Sequence, residues 1–146
     1  MLKNIIHLAI SITAFSLAYS IAFLTEIDLV KSAILYAFVI QWVLFVPAYL
    51  LKTEKFYDLS GSLTYIFVVS YVSYNYYLID GINFGNIIIG LAIIFWAVRL
   101  GSFLFLRIHK AGEDRRFNEI KTSATRFFMT WTLQGMWVSI CSACAL

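Results

Sequence analysis

The feature that most constrains this chain is a set of five apolar runs, each about as long as a lipid bilayer is thick. A bilayer crossing takes about 20 predominantly apolar residues, and runs of that kind occupy residues 5–24, 32–51, 62–79, 86–108 and 127–146. Inside hydrocarbon the backbone must satisfy its own hydrogen bonds, so a run of this length becomes a helix. The sequence therefore predicts an all-α polytopic membrane bundle of five transmembrane helices, with 1–146 forming a single integral-membrane domain embedded in the lipid bilayer. Composition agrees, because 62% of the 146 residues are hydrophobic and 13% are charged, against about 25% charged in soluble domains. Pro47 is the one proline and the connections are short, so no linker, second domain or repeat is visible.

The formal charge of +3 gains meaning once the charges are assigned to ends. If the helices alternate in direction, Lys3, Lys52, Lys55, Arg107, Lys110, Arg115, Arg116, Lys121 and Arg126 fall at one end, and Lys31 alone at the other. This is the positive-inside asymmetry. It predicts a cytoplasmic amino terminus and cytoplasmic loops over 52–61 and 109–126, in the cytoplasmic membrane for a bacterial protein. Lys3 and the small residues near Ala18 imitate a secretory signal, but the run continues to spanning length, so an uncleaved first helix is expected. The last run reaches Leu146 without a polar flank, and truncation there is the expectation.

Polar residues within the runs are the candidates for function. Gln41 stands near mid-span, where an unpartnered amide is costly, so it should bond a neighbouring helix or face a cavity. Tyr71, Tyr74, Tyr76 and Tyr77 read as an interfacial aromatic belt, with a phenol-lined cavity as the alternative. Arg99 lies roughly 12 Å before Arg107 along a helix, too deep to reach water by snorkelling, and an intramembrane cation is a functional-site hypothesis by default. With Phe103, Leu106 and Lys110 it occupies one sector, which suggests a ladder of positive charge inside the bundle, suited to a phosphate or a polarised carbonyl. A structural ion pair is the alternative. Gly101 and Ser102 should admit another backbone.

The loops add weaker signals. Glu54 and Asp58, at i and i+4 if the helix extends that far, form a weak general-acid pair, for which solvated ion pairs with Lys52 and Lys55 are the plainer account. Arg115 and Arg116, with Lys110 and Lys121, suit either anionic lipid or phosphate recognition. In the last run Arg126, Thr130, Gln134, Trp137, Cys141 and Cys144 share a helical face and should look into the bundle. Cys141 and Cys144 are spaced as C-x-x-C but read as small packed residues, and His7 as an interfacial one, so no metal site is expected. No glycine-rich phosphate loop occurs, and no nucleic-acid partner is expected.

Five ordered motifs carry a resemblance: QWVLFVPAY over 41–49, TEKFYDLSGSLTY over 53–65, RLGSFLFLR over 99–107, GEDRRF over 112–117 and MTWTLQGMW over 129–137. Together they resemble the DUF1295 family, which is related to the steroid 5-alpha-reductases and, more distantly, to isoprenylcysteine methyltransferases. The resemblance implies a membrane-embedded, NADPH-dependent oxidoreductase acting on a lipid or steroid-like enone. It also implies Arg99, Arg107, Arg115 and Arg116 on the NADPH side, with Glu54, Tyr57 and Asp58 as weaker candidates on the substrate side. The chain lacks that family's later half with its His-Pro motif, so it is expected to be an amino-terminal fragment inactive by itself. A lipid methyltransferase using S-adenosylmethionine and a non-catalytic scaffold are the alternatives.

Overall fold

The computed structural model describes residues 1–144. It contains five long helices, α1 (Leu2–Leu24), α2 (Asp28–Leu50), α3 (Tyr57–Asp80), α4 (Phe84–Ala111) and α5 (Ala124–Ala143), and no strand among the described residues. Each predicted span has its helix, and the chain is an all-α membrane bundle. The boundaries differ in a systematic way: α2 begins at Asp28 rather than 32, and α3 at Tyr57 rather than 62. Asp28 and Asp58 stand in first turns, where a carboxylate is favoured by the partial positive charge of the helix start. Thus α3 absorbs half of the loop predicted over 52–61. Residues 145–146 of the last predicted span lie outside the described residues.

On length and composition alone, α1, α2 and α4 qualify to cross a membrane. Helices α3 and α5 have comparable lengths but carry more polar residues, and burial explains why that is tolerated. Ser60, Ser62, Thr64, Thr132, Ser139 and Ser142 are all buried, whereas Ile88, Leu91, Phe95, Leu63 and Phe67 are exposed. Polar side chains of α3 and α5 are taken into a core that is otherwise apolar, while large apolar side chains also cover the outside, unlike a water-soluble bundle. In the interior Gln41 Nε2 donates to Thr64 Oγ1 at 2.8 Å, Thr64 donates to the Ser60 carbonyl at 2.7 Å, and Trp42 Nε1 donates to Thr132 Oγ1 at 3.1 Å. Gln41 is therefore interhelical glue, joining α2 to α3.

Close approach is provided by small residues. Ser11, Ala14, Ala18 and Ala22 form the buried stripe of α1, which packs on α5 and α2. Helix α5 lies between α1, α2 and α3, and Gly135 lets Phe38 reach it: an added Cβ would meet the Phe38 ring at 3.0 Å. Helix α4 is peripheral and packs chiefly on α3. At that interface a Cβ on Gly101 would lie 2.6 Å from Ser62 Cβ, so the close approach expected at Gly101 is real. Ser102 is exposed and takes no part.

The ends near Leu2, Leu50, Tyr57, Ala111 and Ala124 come together, and the loop between α4 and α5 folds back over them. Two short 3-10 turns, Arg115–Phe117 and Ile120–Thr122, shape it. Phe117 is 4% exposed, packs with Ala48, Phe127 and Trp131, and has its ring 4.9 Å from that of Tyr57. Buried Glu54 holds the loop from below, accepting from the Asp114 backbone N–H at 3.0 Å and from Lys121 Nζ at 2.7 Å. Burial pushes the Glu54 carboxyl up, but the Lys121 ammonium and the backbone donors outweigh it and hold it below its ordinary value of 4.5. At the same end His7 Nδ1 lies 3.3 Å from Thr125 Oγ1, which donates to Asn4 Oδ1 at 3.0 Å, tying the amino terminus to α5.

Two outcomes are expected in detergent-solubilised protein. Gly101→Ala should lower stability by about 1–3 kcal/mol through overpacking against Ser62, and adding Ser62→Gly should restore most of it, read as thermal midpoints. Glu54→Gln should cost about 1.5–3 kcal/mol, the worth of hydrogen bonds to a charged group, with increased proteolysis within 109–126 as the local readout. Because its pKa is depressed on folding, the Glu54 contribution is present above 4.5 and is lost as pH falls through the lowered value. The wild-type loop should loosen in that acid window, and Glu54→Gln should show no further loosening there.

Candidate functional site

The motif residues of α3, α4 and α5 enclose a cavity of about 310 Å³. From α3 come Asp58, Gly61, Ser62 and Tyr65, one helical face by i, i+3, i+4 and i+7 spacing. From α4 come Trp96, Leu100 and Leu104, and from α5 Leu133, Gln134, Trp137 and Val138. The volume lies at the lower edge of the range of about 300–1,000 Å³ for sites that enclose a small organic ligand. Trp96 and Trp137 are 46% and 64% exposed and stand on the outer side, so the cavity faces the surrounding lipid rather than water.

Its walls are apolar, and its polar groups are few. The Tyr65 ring is 7% exposed and sits edge-on to Trp96 at 5.4 Å, while its hydroxyl has no hydrogen-bond partner. The polar group beside that hydroxyl is the Cys141 thiol, a weak hydrogen-bonding group that leaves it without a well-formed bond. Gln134 Nε2 donates to the Tyr57 carbonyl at 2.9 Å, leaving the buried Oε1 without a partner. Gly61 makes this possible, since a Cβ there would coincide with the Gln134 amide nitrogen. A buried polar group without a partner costs about 1–3 kcal/mol. Both atoms are shielded within the cavity wall, as Gln41 Oε1, Trp131 Nε1 and Ser142 Oγ are elsewhere in the bundle.

Asp58 stands in the first turn of α3, ahead of the stretch predicted to span from 62, where the cavity meets the basic end of the bundle. Burial raises its carboxyl pKa; the Arg116 and Arg107 cations offset part of that rise, and the Asp114 carboxylate adds to it. Tyr57 beside it is committed to structure, its hydroxyl donating to the Thr130 carbonyl at 3.0 Å. Glu54 is likewise occupied on both oxygens by Asp114 and Lys121. Of the three residues proposed for the substrate side, the structure brings Asp58 and Tyr57 to the cavity and keeps Glu54 in the loop clasp.

The four arginines divide. Arg107 and Arg115 line a recess of about 160 Å³ at the basic end together with Glu113 and Asp114. Arg116 lies alongside, its Nε donating to both Asp114 oxygens at 3.0 Å, which keeps the Asp114 carboxyl below its usual range. Arg99 is elsewhere. It is exposed, as are Phe103, Leu106 and Lys110 of the same sector, so the expected ladder of charge runs along the outer face of α4 and not inside the bundle. The reason is that α4 offers α3 only a narrow seam of small residues, Gly90, Ala97 and Gly101, and the charged sector falls outside it. Among the described residues Arg99 has no ion pair.

The polar stripe of α5 is also re-aimed. Phe127, Trp131, Gly135, Val138 and Ser142 face the core, while Gln134 and Trp137 of the stripe face the cavity, and Cys141 and Cys144 are exposed. Tyr65 and the acceptor atom of Gln134 were not singled out by sequence reasoning. The available signal was Gly61 among bulky neighbours on the same face of α3. Among the described residues no cluster of His, Cys, Asp and Glu can hold a metal ion.

No curated protein and no solved structure matches the chain. The family model for DUF1295, described as a protein of unknown function, matches residues 44–146. That range runs from within α2 to the carboxyl end and takes in every residue lining the cavity and the basic recess. The chain belongs to the DUF1295 family.

Proposed function

We infer that this protein is the lipid-binding part of a membrane reductase that takes a carbonyl-bearing apolar substrate from the bilayer. The observation that carries this reading is the apolar cavity of about 310 Å³, with Tyr65 in its wall and Asp58 at its basic mouth. Reduction of a carbon-carbon double bond conjugated to a carbonyl moves negative charge onto the carbonyl oxygen. A donor brought to that oxygen in a dry site stabilises the charge where it develops. Tyr65, whose ring lines the cavity, supplies that donor once its shielded hydroxyl turns to the ligand, and the aromatic and leucine walls exclude water. Asp58, whose raised pKa keeps it protonated to higher pH than an ordinary carboxyl, supplies a proton at the mouth.

NADPH, when bound, would supply the hydride. The residues here fit its phosphates rather than the whole dinucleotide. Arg107 and Arg115 have no ion pair among the described residues and flank the recess of about 160 Å³. That is room for a phosphate group, and guanidinium forks suit phosphate oxygens. Glu113 and Asp114 on the same wall oppose an anion, and Arg116 is engaged by Asp114. Arg107 and Arg115 would hold the phosphate; Arg99 stands apart from it. The positive-inside rule puts the basic end in the cytoplasm, which sets a soluble cofactor at the recess and a lipid substrate at the cavity, with Asp58 between them under the influence of Arg107 and Arg116.

Heat protection in lipid nanodiscs tests the cofactor side. NADPH at about 100 times its dissociation constant should add about 2.7 kcal/mol of stability, S-adenosylmethionine should add none, and Arg107→Ala with Arg115→Ala should abolish the gain. Protection by S-adenosylmethionine alone would assign the site to methyl transfer. On the substrate side, turnover of an enone by the protein should fall as pH rises through the raised Asp58 pKa, because the proton-donating form is lost. Asp58→Asn should flatten that pH profile, and an unchanged profile would remove Asp58 from the reaction.

A further inference from the structure

At the end of the bundle opposite the basic loops, α3 and α4 enclose a second cavity, of about 220 Å³. Ser73, Tyr76 and Asn86 line its outer part and Val69, Val72 and Ile93 its inner part. The two helices run in opposite directions, so these positions sort by depth. Tyr76 and Asn86 lie about 3–6 Å from the helix ends at Asp80 and Phe84, Val69 and Ile93 about 14–17 Å in. The mouth is thus at headgroup depth and the floor in hydrocarbon. Neighbouring Asn75 is committed, its Nδ2 donating to the Tyr71 carbonyl at 2.8 Å. The side chains of Ser73, Tyr76 and Asn86 make no hydrogen bond among the described residues, and none is shielded as the Tyr65 hydroxyl is. The exposed wall is about evenly polar and apolar, whereas that of the larger cavity is mostly apolar. Ser73 Oγ is directed across the seam, since a Cβ on Gly90 would lie 3.2 Å from it. No Lys, Arg, His, Asp or Glu is among the described residues of the lining.

We propose that this cavity holds the hydroxyl end of an uncharged lipid alcohol, its head among Ser73, Tyr76 and Asn86 and its first carbons on Val69, Val72 and Ile93. Two hydroxyls and an amide both donate and accept, which is what a hydroxyl head group does in return. An ether oxygen accepts only and uses half of that capacity. An ionised head group would enter a space without a counter-ion, where an unpaired charge is costly. Water suits the mouth but gains nothing from the apolar floor. The volume is below the range of about 300–1,000 Å³ that encloses a whole small ligand, so the rest of the chain stays in the bilayer. Tyr76 therefore belongs to a cavity, while Tyr74 and Tyr77 remain exposed as interfacial residues. This site is separate from the one between α3, α4 and α5 and owes nothing to hydride transfer.

The test uses a dodecanol with a photoreactive diazirine near its hydroxyl, cross-linked to the protein in lipid nanodiscs and mapped by peptide mass spectrometry. Cross-links should fall within residues 69–93. Plain dodecanol should displace the probe about fivefold more effectively than dodecyl methyl ether, one net hydrogen bond's worth of discrimination. Dodecylamine and dodecyl phosphate, both charged at neutral pH, should fail to displace it. Gly90→Leu fills the space against Ser73 and should abolish labelling in that stretch. Because it also thickens the seam between α3 and α4, a triple variant decides independently. Ser73→Ala, Tyr76→Phe and Asn86→Leu together remove the free polar groups and leave the space, and should make alcohol and ether equally effective. Cross-links confined to other stretches, labelling that excess dodecanol does not displace, equal potency of alcohol and ether in the wild type, or a preference unmoved by the triple variant would overturn the proposal. The second and third of these results would describe a mouth that is merely hydrated.

Discussion

Helices surrounded by lipid gain little from hiding apolar surface against one another, because hydrocarbon tails are as apolar as leucine. The bundle must therefore be held by contact at short range and by hydrogen bonds that have no water to compete with. Both devices are visible. Ser11, Ala14, Ala18 and Ala22 bring α1 in close, Gly135 and Gly101 do the same for α5 and α4, and the Gln41–Thr64–Ser60 chain joins α2 to α3. Such interhelical bonds average about 0.6 kcal/mol, so none of them alone decides the fold. Their combined effect is a fixed register, and register is what sets Tyr65, Gln134 and Asp58 around one space.

The same constraint explains which parts were legible in advance. Five helices could be read from run length, because a bilayer accepts few alternatives. The direction each helix faces is less legible, since apolar side chains lie both inside and outside this bundle and polarity no longer separates the two sides. Arg99 shows why: burial with a partner is the familiar solution for a cation within a span, so the sequence points it inward, yet it is exposed. The seam of α4 was in fact set by Gly90, Ala97 and Gly101, residues too small to announce a face by polarity. On α5 the polar stripe through Gln134 and Trp137 points by its pattern to the core, but bulky Phe127 and Trp131 fill that side and leave the stripe to the cavity. Glu54 and Lys121 are 67 residues apart, and no local pattern could pair them.

Charge and cavity are connected through one short stretch. Glu54 fixes the loop that carries Arg115 and Arg116, and four residues later Asp58 closes the cavity, so the basic recess and the apolar site share a common support. Phe117 extends that support by packing its ring against Tyr57, whose backbone carbonyl in turn orients the Gln134 amide. A disturbance of the loop is thereby transmitted to the cavity through two contacts. The arrangement places the acid at the mouth under the influence of cations of opposite sign on one side and hydrocarbon on the other.

Helix α4 has 28 residues and so is about 42 Å long, against a hydrocarbon thickness of about 30 Å. With the headgroup layers included the bilayer is about 40–45 Å thick, so the apolar part of α4 fills the hydrocarbon while Arg107, His109 and Lys110 reach the headgroups. Trp96, Leu100 and Leu104 ride on the same helix as one wall of the cavity, so the anchoring of its basic end fixes the depth at which that wall stands in the lipid.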